Sequence, residues 1–175
     1  MKKISLTNLI WKEFEIGDLF EIKKVYGKPE NTYKDGEIPY ISTSGVNNGV
    51  ISFRSNIEKK EISEGNCISV DPINVKCFYH IYDFIGRGYS GASVNLLYSK
   101  FLNKYNSKFI ITAIEKANKE KASYGYLFNG NRLKKGKLLL PINEKGDPNW
   151  EYMEDYIKTI ELEKSTNLIE YLKSK

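Results

Sequence analysis

Apolar residues alternate with polar ones in a series of short stretches over the first two-thirds of the chain, and recur at every third or fourth position in two longer stretches near its end. The first pattern predicts half-buried strands and the second amphipathic helices. Strand character begins at Phe14-Glu15-Ile16 and resumes after Gly17-Asp18 at Leu19-Phe20-Glu21-Ile22. Residues 23–37 form a polar loop bearing lysine and glycine, and Ile38-Pro39-Tyr40-Ile41-Ser42 reads as a short strand whose proline marks an edge or a start. Asn47-Asn48-Gly49 is a turn before Val50-Ile51-Ser52-Phe53, and Glu64-Gly65-Asn66 is another before Cys67-Ile68-Ser69-Val70. Strands are also expected at Cys77 to Tyr82, Ala92 to Leu97 and Leu138 to Ile142. Phe109, Ile110, Ala113, Ile114 and Ala117 place a helix over 103–121 with lysines on its opposite face. A second helix runs from Trp150 to about Leu172, with Asn149 as its cap and Glu151, Glu154 and Asp155 in its first turns. Its stripe of Met153, Ile157, Ile160, Leu168, Ile169 and Leu172 needs a surface to cover it, in its own domain or on a partner helix. The elements together predict an α+β, β-rich body in which a curled, mostly antiparallel sheet packs against helices, over 1–148, followed by a C-terminal helix over 149–175.

Length and composition narrow the field without choosing a function. At 175 residues and 41% hydrophobic the chain can build one core. It contains no run of about 18 apolar residues, and its start, Met1-Lys2-Lys3-Ile4-Ser5, lacks the apolar stretch of a secretory signal, so a cytoplasmic, non-membrane protein is expected. Two cysteines are too few for a disulfide framework, and a single histidine excludes multi-histidine metal sites. Charge is more telling, because it is segregated. Residues 1–88 balance at 12 basic and 12 acidic side chains, 89–148 carry 11 basic against 4 acidic, and 149–175 carry 4 against 6. A concentrated cationic middle suits a phosphate backbone or a solvated basic surface.

Catalytic constellations are incomplete. Gly86-Arg87-Gly88-Tyr89-Ser90-Gly91 has the spacing of a dinucleotide-binding glycine run, yet it leads into strand-like sequence where that motif opens a helix. Asp71-Pro72-Ile73-Asn74 lacks the second proline and the aromatic of an adenine-methyltransferase motif. Cys67, Cys77 and His80 supply three soft ligands without a fourth, and buried packing is the expected role of both cysteines. Trp11, Phe14, Phe20 and Trp150 are assigned to the core. The acidic residues of the first third leave open a small metal-dependent nuclease or nucleic-acid-modifying enzyme, although no spacing singles out a carboxylate pair.

Taken in order, several segments resemble a known family. Trp11-Lys12-Glu13-Phe14-Glu15-Ile16-Gly17-Asp18-Leu19-Phe20-Glu21-Ile22 is similar to the opening of target-recognition domains in the specificity (S) subunits of type I restriction-modification systems and of related type IIB and IIG enzymes. Ile38 to Ser42, Asn47 to Val50 and Gly65 to Val70 follow as in that family. Leu139-Leu140-Pro141-Ile142 and the segment from Gly146 to Ile157 resemble the hand-over from recognition domain to helical spacer. The resemblance implies a DNA target-recognition domain over 1–148 and a spacer or dimerisation helix over 149–175. It implies no chemistry and no cofactor in this chain: methyltransferase subunits of the family bind S-adenosylmethionine and modify adenine, and a separate restriction subunit translocates and cuts. A full S subunit carries two such domains and two helices, so a half-sized protein that pairs as a homodimer, a separately encoded fragment and an excised domain all fit this length.

If double-stranded DNA is the partner, backbone contacts fall to Lys23, Lys24, Lys28 and Lys34 in the early loop and to Arg132, Lys134, Lys135 and Lys137 in the late one. Base contacts fall to side chains able to read base edges: Ser42, Thr43, Ser44, Asn47 and Asn48, then Arg87, Tyr89 and Ser90, then Tyr124, Tyr126, Asn129 and Asn131. Turn chemistry explains the Asn-Asn-Gly run equally well. Met153, Ile157, Ile160, Leu168 and Leu172 are the expected partner-binding side chains of the last helix.

Overall fold

The computed structural model describes residues 6, 7, 9–88 and 91–175. Its centre is a four-stranded antiparallel sheet ordered β2-β8-β5-β6, formed by β2 (Glu21–Lys24), β8 (Asn95–Tyr98), β5 (Cys67–Val70) and β6 (Cys77–His80). Every residue of β5 is buried. Ile68 and Val70 face one core with Leu97 and Cys77, while Cys67 faces a second with Leu96, Val25, Ile41 and Phe84. A strand covered on both sides has no reason to alternate, which is why Cys67-Ile68-Ser69-Val70 shows only a weak period of two.

One face of this sheet is covered by helix α2 (Asn106–Asn118), whose Ile110 and Ile114 are fully buried, by the short helix α3 (Gly130–Lys134) through Leu133, and by the root of α4 (Trp150–Lys173) through Met153. A two-stranded ribbon of β1 (Trp11–Glu15) and β9 (Lys137–Pro141) completes that layer. Three of the four aromatics assigned to the core are part of it, and Trp11 is half-buried at the wall of an apolar groove. Phe20 is buried, Phe14 and Trp150 pack on the core, and Trp11 stacks on Phe109 with ring centroids 6.2 Å apart. The other face carries a three-stranded sheet, β4-β3-β7, from β3 (Lys34–Ile41), β4 (Val50–Ser55) and β7 (Ile85–Gly86).

Two local departures from the sequence reading have clear causes. A single helical turn, α1 (Ile16–Leu19), interrupts the expected strand, because the Ile16 amide donates to the Gly136 carbonyl at 2.8 Å and turns its side chain into the core. Pro39 sits in mid-strand, not at an end. It is tolerated because β7 pairs with β3 only at Tyr40 and Ile41, leaving one side of Pro39 without a ladder. The β3–β7 pairing is parallel, so the sheet system is mostly but not wholly antiparallel.

The lone histidine is a core residue with a pH signature. His80 is fully buried, its Nε2 lies 2.8 Å from Ser69 Oγ, its ring packs 4.6 Å from that of Phe84, and its Nδ1 has no partner among the described residues. Burial lowers its pKa from the ordinary 6.5 to about 4. Between these values the unfolded chain binds a proton that the folded chain refuses, so stability is fully present above pH 6.5 and falls as the solution is acidified toward pH 4. The contribution is about 3 kcal/mol at its largest. Urea unfolding at pH 7.5 and 4.5 measures it: His80→Gln should remove about this much of the pH dependence, and an unchanged slope would refute the assignment.

Cys67 lies opposite His80 in the β5–β6 register, whereas Cys77 lies opposite Val70 at the far end of the hairpin. The three soft donors therefore do not converge. Both thiols are free and buried, and burial pushes that of Cys67 up to about 12. Asp71, in the methyltransferase-like segment, is a turn residue. Its Oδ1 accepts from the Ile73 amide at 2.8 Å and its Oδ2 from Asn74 Nδ2 at 3.2 Å.

Candidate nucleic-acid interface

Three polar loops predicted separately come together at the short strand β7. After Ile85 and Gly86 the chain continues as Arg87, bridged in parallel to Gly27, and Gly88, whose amide donates to the Gly27 carbonyl at 2.8 Å. Side-chain-free glycines make this approach feasible: a Cβ on Gly88 would lie 2.6 Å from the Val25 carbonyl oxygen and 2.9 Å from Tyr26 Cα. The run leads into no helix, so it lacks the helix N-terminus on which a dinucleotide pyrophosphate rests. Arg87 lines a niche with Ser42 and Thr43 of the loop after β3 and with Ala92 and Ser93 of the segment before β8.

The third loop joins through Asn129, whose Nδ2 donates to the Gly91 carbonyl at 2.6 Å. Within that loop, reciprocal backbone bonds between Ser123 and Tyr126 (3.2 and 3.0 Å) close a tight turn with Tyr124-Gly125 at its tip. Tyr124 is 85% exposed and Tyr126 is also exposed. Arg132, expected on the backbone of DNA, braces this turn: its guanidinium donates to the carbonyls of Lys121, Tyr126 and Leu127 and sits 3.4 Å from the centroid of the Tyr126 ring. A buried or braced guanidinium holds a loop in shape by satisfying carbonyls that turns leave unpaired.

Asn47 and Asn48 both adopt left-handed backbone (φ 51 and 54°), followed by Gly49 at φ 75°, so turn geometry fixes this tripeptide whatever else it does. Gly49 donates to the Val46 carbonyl and accepts from the Ser42 amide, which holds the loop closed while Asn47 and Asn48 stay exposed. Ser44 bonds only within its own loop, to Val46. Tyr89 and Ser90 lie outside the described residues.

The lysines divide into committed and uncommitted groups. Lys28 bridges Glu58 (2.9 Å) and the buried Glu61 (3.2 Å), which hold its pKa above the ordinary value, while Lys60 and Lys28 lower that of Glu58 to about 2. Lys137 pairs with Glu13 at 2.8 Å, and Lys23 with Glu21 at 3.3 Å while lying over the Tyr98 ring. Lys24, Lys34, Lys134 and Lys135 form no ion pair among the described residues, and all are exposed. Two lysines that the sequence reading left to solvent join the latter pair: Lys119 and Lys121 follow α2, and Asn118 Nδ2 donates to the Lys137 carbonyl at 3.0 Å, tying the two segments together. Arg132 in turn ties the segment carrying Lys119 and Lys121 to the Tyr124 turn and to the late basic segment. Only tertiary structure could reveal this, because 12 residues of chain lie between Lys121 and Lys134 and Arg132 closes the gap. The lysine face of α2 is used otherwise, Lys108 pairing with Glu161 of α4.

Several acidic residues of the early chain are taken up in separate ion pairs: Glu30 and Asp35 hold Arg54, Glu58 and Glu61 hold Lys28. Among the described residues no three His, Cys, Asp or Glu side chains are grouped to hold a metal ion.

The geometry defines a binding module of polar, cation-flanked loops on a rigid sheet. Its family is shown by comparison: residues 8–172 match the type I restriction modification DNA specificity domain, and the chain belongs to that family. It is 30% identical over 159 residues to the type II restriction enzyme specificity subunit S.BcgI of Heyndrickxia coagulans, covering 90% of this chain and 45% of that protein. Its fold matches the type I S subunit of M. genitalium (TM-score 0.57, 16% identity, 97% of this chain and 42% of that one). It also matches the HsdS subunit of Thermoanaerobacter tengcongensis (TM-score 0.58, 11% identity, 95% and 41%). The chain spans less than half the length of each of these relatives. Membership places it with the specificity components of restriction-modification systems, which are non-catalytic.

Proposed function

We propose that this chain reads a short sequence in double-stranded DNA and lends that specificity to an adenine methyltransferase subunit and, in a restricting assembly, to a restriction subunit, all in the cytoplasm. The niche shared by Ser42, Thr43, Arg87 and Ser93, and the Asn129 bond that ties the third loop to Gly91, carry this reading, together with exposed lysines that form no ion pair among the described residues. Phosphates are met by Lys24, Lys34, Lys119, Lys121, Lys134 and Lys135, and base edges by the loop tips. Duplex binding by the full chain with its methyltransferase at several salt concentrations tests it. Affinity should fall steeply with salt and favour one sequence, whereas a shallow slope or equal binding to all duplexes would refute it.

The division into a recognition domain over 1–148 and a spacer helix over 149–175 belongs to the same proposal. Met153 is fully buried in the core, so it anchors α4 to its own body and is not available to a partner. Asn149 caps the helix by accepting from the Tyr152 amide at 3.0 Å. Ile157 and Ile160 line an apolar groove with Trp11, Phe109 and Leu139. From residue 162 onward every side chain is exposed, including Leu162, Leu168, Ile169 and Leu172. We assign this distal stripe to the α4 of a second copy, which gives a two-fold assembly for a split DNA site. Sedimentation should show a dimer that Leu168→Glu with Leu172→Glu dissociates; a wild-type monomer across micromolar concentrations would exclude it.

A further inference from the structure

The chain has three arginines, and two are occupied within it: Arg54 is held by Glu30 and Asp35, and Arg132 by three backbone carbonyls. Arg87 is different. Its side chain is exposed and makes no hydrogen bond or ion pair among the described residues, while its backbone is bridged to Gly27 and followed by the Gly88–Gly27 hydrogen bond. Gly27 and Gly88 flank it with contacts too close for a Cβ, one on Gly27 lying 2.6 Å from the Gly86 carbonyl oxygen and one on Gly88 2.6 Å from that of Val25, and a Cβ on Gly86 would sit tightly at 3.1 Å from the Ile41 carbonyl oxygen. The guanidinium therefore leaves a closely held backbone with no partner for its donors among the described residues. It borders a niche of about 160 Å³ walled by Ser42, Thr43 and Ser93, where the first two recognition loops meet.

Free lysines on the surrounding surface already serve phosphate, and their charge is insensitive to orientation. A planar fork on a rigid base suits a target that is itself planar and offers two acceptors side by side, as guanine does in the major groove with O6 and N7. We infer that Arg87 is a specificity-determining residue that recognises a guanine at one fixed position of the target. This rests on the DNA-reading function proposed above and sharpens it: it names the base type and the side chain that reads it, with Ser42 and Thr43 beside it to contact the neighbouring pair.

The test starts from the motif that the full wild-type chain enriches from a randomised duplex library. Arg87→Ala should enrich the same motif with the preference for one guanine lost, and Arg87→Gln should move that position toward adenine. Replacing that guanine by 7-deazaguanine, which lacks the N7 acceptor, should weaken wild-type binding about 10-fold or more and leave the Arg87→Ala protein unaffected. An Arg87→Ala motif identical to wild type, with all duplexes weakened alike, would make Arg87 a phosphate contact and overturn the inference alone. A wild-type chain that enriches no motif would overturn the DNA-reading proposal and this inference with it.

Discussion

Reversing the charge of Lys134 and Lys135 together should weaken binding to every duplex by about 100-fold at moderate salt while leaving the preferred sequence unchanged. Both are exposed and form no ion pair among the described residues, on and just beyond a short helix that Arg132 ties to the Lys119–Lys121 segment. Loss of two phosphate contacts should reduce the slope of log affinity against log salt by about 2, a signature that a misfolded variant would not mimic. Lys137→Glu is the internal contrast. Its ammonium is 2.8 Å from Glu13, so its change should cost far less affinity than the pair. Equal losses from the two variants, or a change of motif in Lys134→Glu/Lys135→Glu, would contradict the division into committed and uncommitted lysines.

Gly88→Ala should be the most damaging single-methyl change on the recognition face. The added carbon would meet the Val25 carbonyl oxygen at 2.6 Å and Tyr26 Cα at 2.9 Å, both backbone atoms that cannot rotate away. The strand must separate from the Gly27 turn, which breaks the Gly88–Gly27 hydrogen bond and moves Arg87 off its platform. We expect Tm to fall by roughly 5 °C and sequence preference to decline with it. Gly45→Ala, in the neighbouring loop with nothing within 4 Å of its Cβ, should leave both near wild type. Comparable thermal scans of the two variants, showing no difference, would remove the argument for close backbone approach at β7.

What could be read directly from the sequence was local. The α2 and α4 helices, the Asn149 cap, the Asn47-Asn48-Gly49 turn and the strands at β4, β5, β6 and β9 rest on periodicity and turn chemistry within a few residues, and the structure contains them. What escaped depends on distant partners. β7 is two residues long and exists because β3 lies beside it in parallel, and α1 exists because Gly136 offers Ile16 a carbonyl. The same holds for the binding face. Arg132 and Lys28 carry the charge expected of phosphate contacts, but their partners sit up to 33 residues away in sequence and claim them within the fold. Lys119 and Lys121 looked like one face of a helix until Asn118 and Arg132 joined their segment to the late loop. Charge density was visible in the chain, and its availability was not.

Amide hydrogen exchange on the full chain, with and without duplex DNA carrying its preferred site, tests the central claim most directly. The account predicts new protection in 42–49, in 86–88 and across 121–137, with the distal half of α4 unchanged by DNA. Protection confined to α4 and the groove at its root, or none at all under saturating duplex, would contradict it.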